Sequence, residues 1–503
     1  MANSEIRIPQ QQRLRPHPHL CEINTWAWLD NFSALQNRLI KLVDVSDEQW
    51  DSLANFGFDA VWLMGIWQRS SESRRIAQTT PSLFPGFDLA LPGWKPQDVV
   101  GSPYSVAAYV PDPRIGTWDD LDAVREKLRS RGMALFLDFA GNHTARDHAW
   151  VLDHPEYYVQ ASQADLEKDA GSFFRVNTSK GSAYLALARD PYFPPWTDVA
   201  QLNHFSAQMR SALLAQLSII ASHCDGVRCD MAMLQLSDVF QKTWGRFLGN
   251  LSAPKQEFWT VAHAVIPGLT LLGEVYWGLE RRLLDLGFSF VYDKSLYDAL
   301  RDVDIPEVQR RLTASLEYQK HLARFLENHD ERRCLEVFGD ARLLSAGTLM
   351  GTLPGMRFYH YPELQGGKVF LPVALRMAAP ELPDQTAVEF FKKILSITKQ
   401  DAFHQGAWNL LQVNSDGEQT GRNFVAYEWR SKQSWKLIVV NLAAGTSQGR
   451  IKFTGRPLPA QRYVFRDELD GVLYTRDAVE LRNLGLFVRR DGFGAHIFDV
   501  SPT

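Results

Sequence analysis

Ala134-Leu-Phe-Leu-Asp138 is a short apolar run ending on a carboxylate, and the stretch before it, Asp119 to Arg131, carries apolar residues at helical spacing. Thr117 is placed to cap that helix, with Asp119 and Asp120 in its first turn. The same unit recurs downstream, where a helical pattern from Phe205 to His223 feeds Gly226-Val-Arg-Cys-Asp230. Working outward, similar apolar runs read as strands at Ile23-Asn-Thr-Trp-Ala-Trp-Leu29, Ala60-Val-Trp-Leu-Met64, Thr270-Leu-Leu-Gly-Glu274, Phe288-Ser-Phe-Val-Tyr292, Arg324-Phe-Leu-Glu-Asn328 and Thr348-Leu-Met-Gly-Thr352. Strands alternating with helices over this length predict an α/β fold, a closed (β/α)8 barrel over residues 21–404. Residues 1–20 are polar and proline-bearing and read as an extended arm. The connection over 144–200 breaks the strand–helix period and is expected to be a small inserted domain after the third strand. Beyond about residue 405, Asn423-Phe-Val-Ala-Tyr-Glu-Trp429, Trp435-Lys-Leu-Ile-Val-Val-Asn441 and Gly449-Arg-Ile-Lys-Phe453 predict a C-terminal antiparallel β domain over 405–503.

Composition narrows the function. Across 503 residues, 54 Lys and Arg face 58 Asp and Glu, a net charge of -4 that argues against nucleic acid or an anionic membrane as partner. Four cysteines in so long a chain make no disulfide scaffold, and none forms a CxxC pair. No apolar run approaches the roughly eighteen residues of a membrane span, and the stretch Met1 to Leu20 lacks a signal-peptide core. The expectation is a soluble, cytoplasmic protein, its oligomeric state open.

In such a barrel the functional side chains stand at the C-terminal ends of strands. Those ends carry Asp138, Asn142 and His143, then Arg228 and Asp230, then Glu274, then His329 and Asp330. Carboxylates gathered on one rim are costly to bury unless they are paired or used.

The segments Leu137-Asp-Phe-Ala-Gly-Asn-His143, Asp225-Gly-Val-Arg-Cys-Asp230, Gly273-Glu-Val-Tyr276 and Phe325-Leu-Glu-Asn-His-Asp330, in this order, resemble the four signature segments of the α-amylase family of glycoside hydrolases. Gly101-Ser-Pro-Tyr-Ser-Val-Ala-Ala-Tyr109 and Asp112-Pro-Arg-Ile-Gly-Thr-Trp118 are similar to the family's segment before the third strand, and the resemblance spans about 21–503. It implies a retaining glycoside hydrolase cleaving α-glucosidic bonds of α-1,4-glucans or malto-oligosaccharides. Asp230 falls at the nucleophile position, Glu274 at the general acid/base, and Asp330 at the third carboxylate. The guanidinium of Arg228 beside Asp230 favours its ionised form, while the apolar run around Glu274 should raise that group's pKa. Tyr104 matches the aromatic platform under the first sugar, and His143 and His329 match its hydrogen-bond donors. Asp138 is expected to support the site from behind. Asn142 matches a calcium ligand of many relatives, with Asp198 as its one candidate companion; no cofactor is required by the chemistry.

The chain also departs from the family. Where many starch-degrading relatives carry Lys and His after the nucleophile, it has Met233 and Leu234. The leaving-group side thereby loses two polar contacts and gains apolar ones, which predicts slower cleavage of starch than of short substrates. Tyr276 and Trp277 are candidate stacking residues there. Alternative readings are an α-glucanotransferase or a hydrolase of a small α-glucoside (sucrose, trehalose, a glucosylated polyol). From a different class stands a non-catalytic sugar- or partner-binding barrel, against which all three carboxylates count.

Overall fold

The computed structural model describes residues 10–503 other than Lys180, Glu418 and Arg456. Eight strands close into a parallel barrel: β1 (His19–Asn24), β2 (Ala60–Met64), β3 (Ala134–Phe139), β4 (Gly226–Cys229), β5 (Thr270–Gly273), β6 (Phe290–Tyr292), β7 (Leu322–Arg324) and β8 (Met356–His360). Each pairs with its sequence neighbours and β8 returns to β1, with His19 opposite Arg357 and Leu20 opposite Ala60. The strands are buried on both faces, because side chains fill the barrel inside and helices cover it outside. Their periodicity is therefore a continuous apolar run and not an alternation.

Three strands lie elsewhere than the apolar runs predict. The first covers His19–Asn24, and Thr25–Gln36 is already helix, capped by the Asn24 side chain accepting from the Ala27 N–H. The seventh is Leu322–Arg324, ahead of the predicted 324–328. The largest shift is at the eighth. Residues 348–352 end the helical span Cys334–Thr352, and the strand follows the Pro354-Gly355 turn. An apolar run with glycines at helical spacing fits a close helix contact better than a strand. A Cβ on Gly347 would meet the Phe390 ring and one on Gly351 the Ile394 side chain, both on the helix Gln385–Thr398 packed alongside.

Two attachments position the site. The 144–200 insert hangs on a stalk in which His143–Ala145 pairs antiparallel with Val199–Gln201, so its root is continuous with the end of β3. Below, the chain from Gln10 crosses the N-terminal mouth of the barrel. Gln11 Nε2 donates to the Ala221 carbonyl at 2.9 Å and the Gln12 N–H to Asp225 at 3.0 Å. Residues 1–9 of the expected arm lie outside the described residues. From Ala407 onward, a six-stranded and a three-stranded antiparallel sheet follow. They dock on the barrel through Trp429, whose Nε1 donates to the Thr352 carbonyl at 2.7 Å. Among the described residues no helix is long and apolar enough to cross a membrane.

Candidate active site

Arg228, on β4, is fully buried and organises the C-terminal mouth of the barrel. One terminal nitrogen contacts Asp230 Oδ1 at 2.8 Å and the other Glu274 Oε2 at 2.7 Å. Asp330 Oδ2 stands 4.0 Å from the second. The guanidinium sits over the rings of Trp62, Tyr104 and Tyr292, and its Nε donates to the Tyr292 hydroxyl at 3.3 Å. All three carboxylates expected from the sequence thus converge on one cation. Cys229, between Arg228 and Asp230, is buried in the apolar core, as alternation along the strand requires.

The two central carboxylates are held unlike each other. Asp230 has one oxygen engaged; its Oδ2 has His143 Nε2 at 3.9 Å. Burial pushes its pKa up despite Arg228, so the guanidinium limits the rise without reversing it. Glu274 is contacted at both oxygens. The Met231 N–H donates to Oε2 at 2.7 Å and the Tyr276 hydroxyl to Oε1 at 2.7 Å. Met231 reaches it because its backbone is left-handed, with φ 41°, turning the chain sharply after Asp230. Burial raises Glu274 to about 7; Arg228 opposes this and the charges of Asp230 and Asp330 add to it.

Around them the remaining predicted residues take their places. His329 is flanked by two carboxylates, its Nδ1 2.5 Å from Glu22 Oε1 and its Nε2 2.9 Å from Asp330 Oδ2. Burial disfavours its charge, but the two carboxylates prevail and its pKa is raised well above the usual histidine range. Burial likewise disfavours the charge on Asp330, yet the His329 cation holds its pKa low. Tyr104 stacks on His329 with centroids 5.2 Å apart, its hydroxyl 3.3 Å from Asp138 Oδ1. Asp138 also accepts from Trp62 Nε1 and the Gly65 N–H, and so supports the site from below. Burial lowers His143 to about 4, leaving it neutral beside Trp196.

Asn142 does not fit a calcium site. Its carbonyl and its Oδ1 both accept from Gln201 Nε2, at 2.9 and 3.0 Å, and an amide N–H is no cation ligand. Asp198 is turned to the Ser73 hydroxyl, and among the described residues no group of three or more His, Cys, Asp or Glu could hold a metal.

Other expectations need correction. Met233 and Leu234 are 0% and 3% exposed on the turn Ala232–Gln235, so they add no apolar surface to the leaving-group side. Tyr276 acts as a hydrogen-bond donor to Glu274, whereas Trp277 is 39% exposed and meets Tyr192 of the insert edge-on at 4.9 Å. Glu22, Trp62 and Tyr292 were not anticipated. Tyr292 ends a predicted strand, so the strand-end rule reaches it; Glu22 was hidden by the misplaced first strand.

A model of the α-amylase catalytic domain matches residues 46–186. The trehalose-6-phosphate hydrolase of Escherichia coli K12 is 26% identical over 308 residues, 51% of this chain and 54% of that protein. The α-amylase MalA of Haloarcula japonica is 24% identical over 335 residues, 65% of this chain and 41% of its own length. The chain therefore spans about half the length of these curated relatives. In fold it is similar to the noncanonic maltogenic α-amylase AmyB of Thermotoga neapolitana, with a TM-score of 0.68 at 17% identity over 96% of this chain and 98% of that one. In its ordered motifs, closed barrel and convergent carboxylates the chain is similar to the α-amylase family of glycoside hydrolases, whose catalytic-domain model matches residues 46–186.

Proposed function

We propose that this protein hydrolyses α-glucosidic bonds of malto-oligosaccharides by a retaining double displacement. The observation that carries the reading is the grip of Asp230 and Glu274 on the two ends of one guanidinium. That places them near each other, as suits the ~5 Å separation of retaining enzymes. Asp230 Oδ2, the oxygen that Arg228 leaves free, attacks the anomeric carbon and forms a glycosyl ester. Glu274, raised to about 7, gives its proton to the departing oxygen. The Glu274 carboxylate then takes a proton from water, whose oxygen displaces Asp230 and restores both groups. Tyr104 supplies the platform for the transferred ring, while His143, His329 and Asp330 line it. Trp277 is suited to stack on the leaving group.

A second reading, hydrolysis of a small α-glucoside or transfer to a sugar hydroxyl, is supported by the similarity to a trehalose-6-phosphate hydrolase. The test follows maltotriose cleavage by NMR: the α-anomer should appear first and mutarotate later. First appearance of the β-anomer would reject double displacement, and absence of hydrolysis with efficient transfer to added glucosides would favour the second reading.

A further inference from the structure

The two flanks of the catalytic centre differ. On the leaving-group flank, past Glu274, the side chains of Trp277, Tyr192 and Phe193 stand open to solvent at 39%, 59% and 65% exposure. On the opposite flank, past Tyr104 and His329, the chain builds a roof. Its first part is the β2–β3 connection over 71–100, with helices Ser71–Thr79 and Phe84–Ala90. Its second part is the segment 361–384 after β8. The two bury a small apolar cluster of their own, Phe87, Ala90 and Val99 against Leu371 and Leu375, separate from the barrel core. Backbone bonds sew them together, Val100 N–H to the Ala374 carbonyl and Ala379 N–H to the Ala90 carbonyl, both at 2.8 Å.

Charged groups then pin this roof to the barrel. Arg69 lies over the Trp26 ring and donates to the carbonyls of Gly101, just after the first part, and Val373 of the second, at 2.6 and 3.2 Å. Arg376 joins Asp98 of the first part to buried Asp30 at 2.9 and 3.0 Å, and Arg114 closes on the same Asp30. Arg333, two-pronged, holds Glu327 and the Val369 carbonyl, both at 2.9 Å. The space left beyond His329, bounded by Asn24, Trp28, His360, Tyr361 and Leu371, is a cavity of about 70 Å³. It has room for a handful of water molecules.

We infer that the catalytic centre is a pocket closed on its glycone side, so that the enzyme takes a chain only by its non-reducing end and transfers a single glucosyl unit. This rests on the reading of the site given above. The ring held by Tyr104, His329 and Asp330 has the roof behind it, so a chain continuing from its 4-hydroxyl meets the Arg69-pinned wall. The aglycone leaves past Glu274 towards the exposed aromatics, where its length is unrestricted. Internal bonds of a glucan cannot reach Asp230 without placing a second glucosyl unit against the roof.

The experiment uses the full chain with p-nitrophenyl α-glucoside, p-nitrophenyl maltopentaoside, the same pentaoside capped at its non-reducing end by a 4,6-ethylidene group, and γ-cyclodextrin. Glucose should be the first sugar released from the uncapped pentaoside. The capped and cyclic substrates should react slower by about two orders of magnitude or more, since they cannot reach a near-attack geometry. Maltose or a longer first product, or comparable turnover of the capped or cyclic substrate, would overturn the inference while leaving the chemistry intact. Failure on all four, the simple glucoside included, would instead bring down the catalytic reading and this inference with it.

Discussion

Asp225 and Asp230 bracket a single strand, β4, and both are buried, at 1% and 6% exposure. At the lower end, Asp225 is saturated. Its Oδ1 accepts from Arg125 at 2.8 Å and from the Gln12 N–H at 3.0 Å, and its Oδ2 from the Leu135 N–H at 3.0 Å. Arg129 adds a longer contact. At the upper end, Asp230 has one oxygen on Arg228 and the other without a close donor. Burial of a carboxylate is costly in both places. The lower one recovers that cost through a complete donor set and serves the fold, tying arm, helix and two strands together. The upper one is left incomplete, and a partly satisfied carboxylate in a mouth lined by other acids is where reactivity resides.

The largest expected effect breaks the upper end. Asp230→Asn keeps the shape and deletes the attacking charge, so turnover of maltotriose should fall by roughly 10⁴-fold or more. The melting temperature should hardly move, because the lost pairing with Arg228 is offset by relief of carboxylate burial. Turnover within tenfold of the native enzyme would place the chemistry elsewhere.

The matching change at the lower end should do the reverse. Asp225→Asn leaves the Arg125 guanidinium buried without its counter-charge, which costs on the order of 3 to 5 kcal/mol. Urea unfolding should show that loss, while kcat per folded molecule stays near native. If stability were unchanged and activity lost, the division between a structural and a reactive carboxylate would be wrong.

A third, smaller effect concerns Glu22, a saturating partner placed inside the reactive mouth. Its carboxylate helps keep His329 charged. In Glu22→Gln the His329 pKa should fall, so the charged form is lost at a lower pH than in the native enzyme. Near pH 6 KM should rise about threefold, and near pH 8 tenfold or more, each tenfold being about 1.4 kcal/mol. A loss equal at both pH values would mark Glu22 as packing alone.

Glu22 also illustrates where sequence reading reaches its limit. The candidate carboxylates were legible because Asp230 and Glu274 directly follow strands and Asp330 lies in the loop after the seventh, and strand ends are local features. The barrel itself followed from the alternation of strand and helix. The first strand was read four residues late, since Trp26 and Trp28 prolong the apolar run into what the Asn24 cap makes a helix, and that displacement removed Glu22 from the rim. The run Thr348–Thr352 was read as strand because Gly347 and Gly351 serve a contact with a helix some forty residues on, which no local pattern reveals. Asn142 matched a ligand in type, but its partner Gln201 lies at the far end of the insert. In the last two cases the deciding contact is between residues distant in sequence.

Tyr276 supplies the smallest and sharpest test of the comparison, because it is the donor that brings Glu274 closest to the saturated state of Asp225. Its hydroxyl stabilises the ionised carboxylate, so Tyr276→Phe removes a bond from the charged form and should raise the Glu274 pKa above about 7. Glu274 must be protonated to act as acid, so native kcat/KM should decline as pH rises through about 7. In the variant that alkaline limb should move upward by about one pH unit, since one hydrogen bond to a charged group is worth roughly 1.5 kcal/mol and Met231 and Arg228 still hold the other oxygen. The acid limb, governed by Asp230, should stay where it is. The profile of kcat/KM between pH 5 and 9 on p-nitrophenyl α-glucoside would be less informative than on maltotriose, because a good leaving group needs little protonation. An alkaline limb that moves downward in Tyr276→Phe would mean that the hydroxyl accepts a hydrogen bond from a neutral Glu274, in which case the phenol helps to hold the acid protonated.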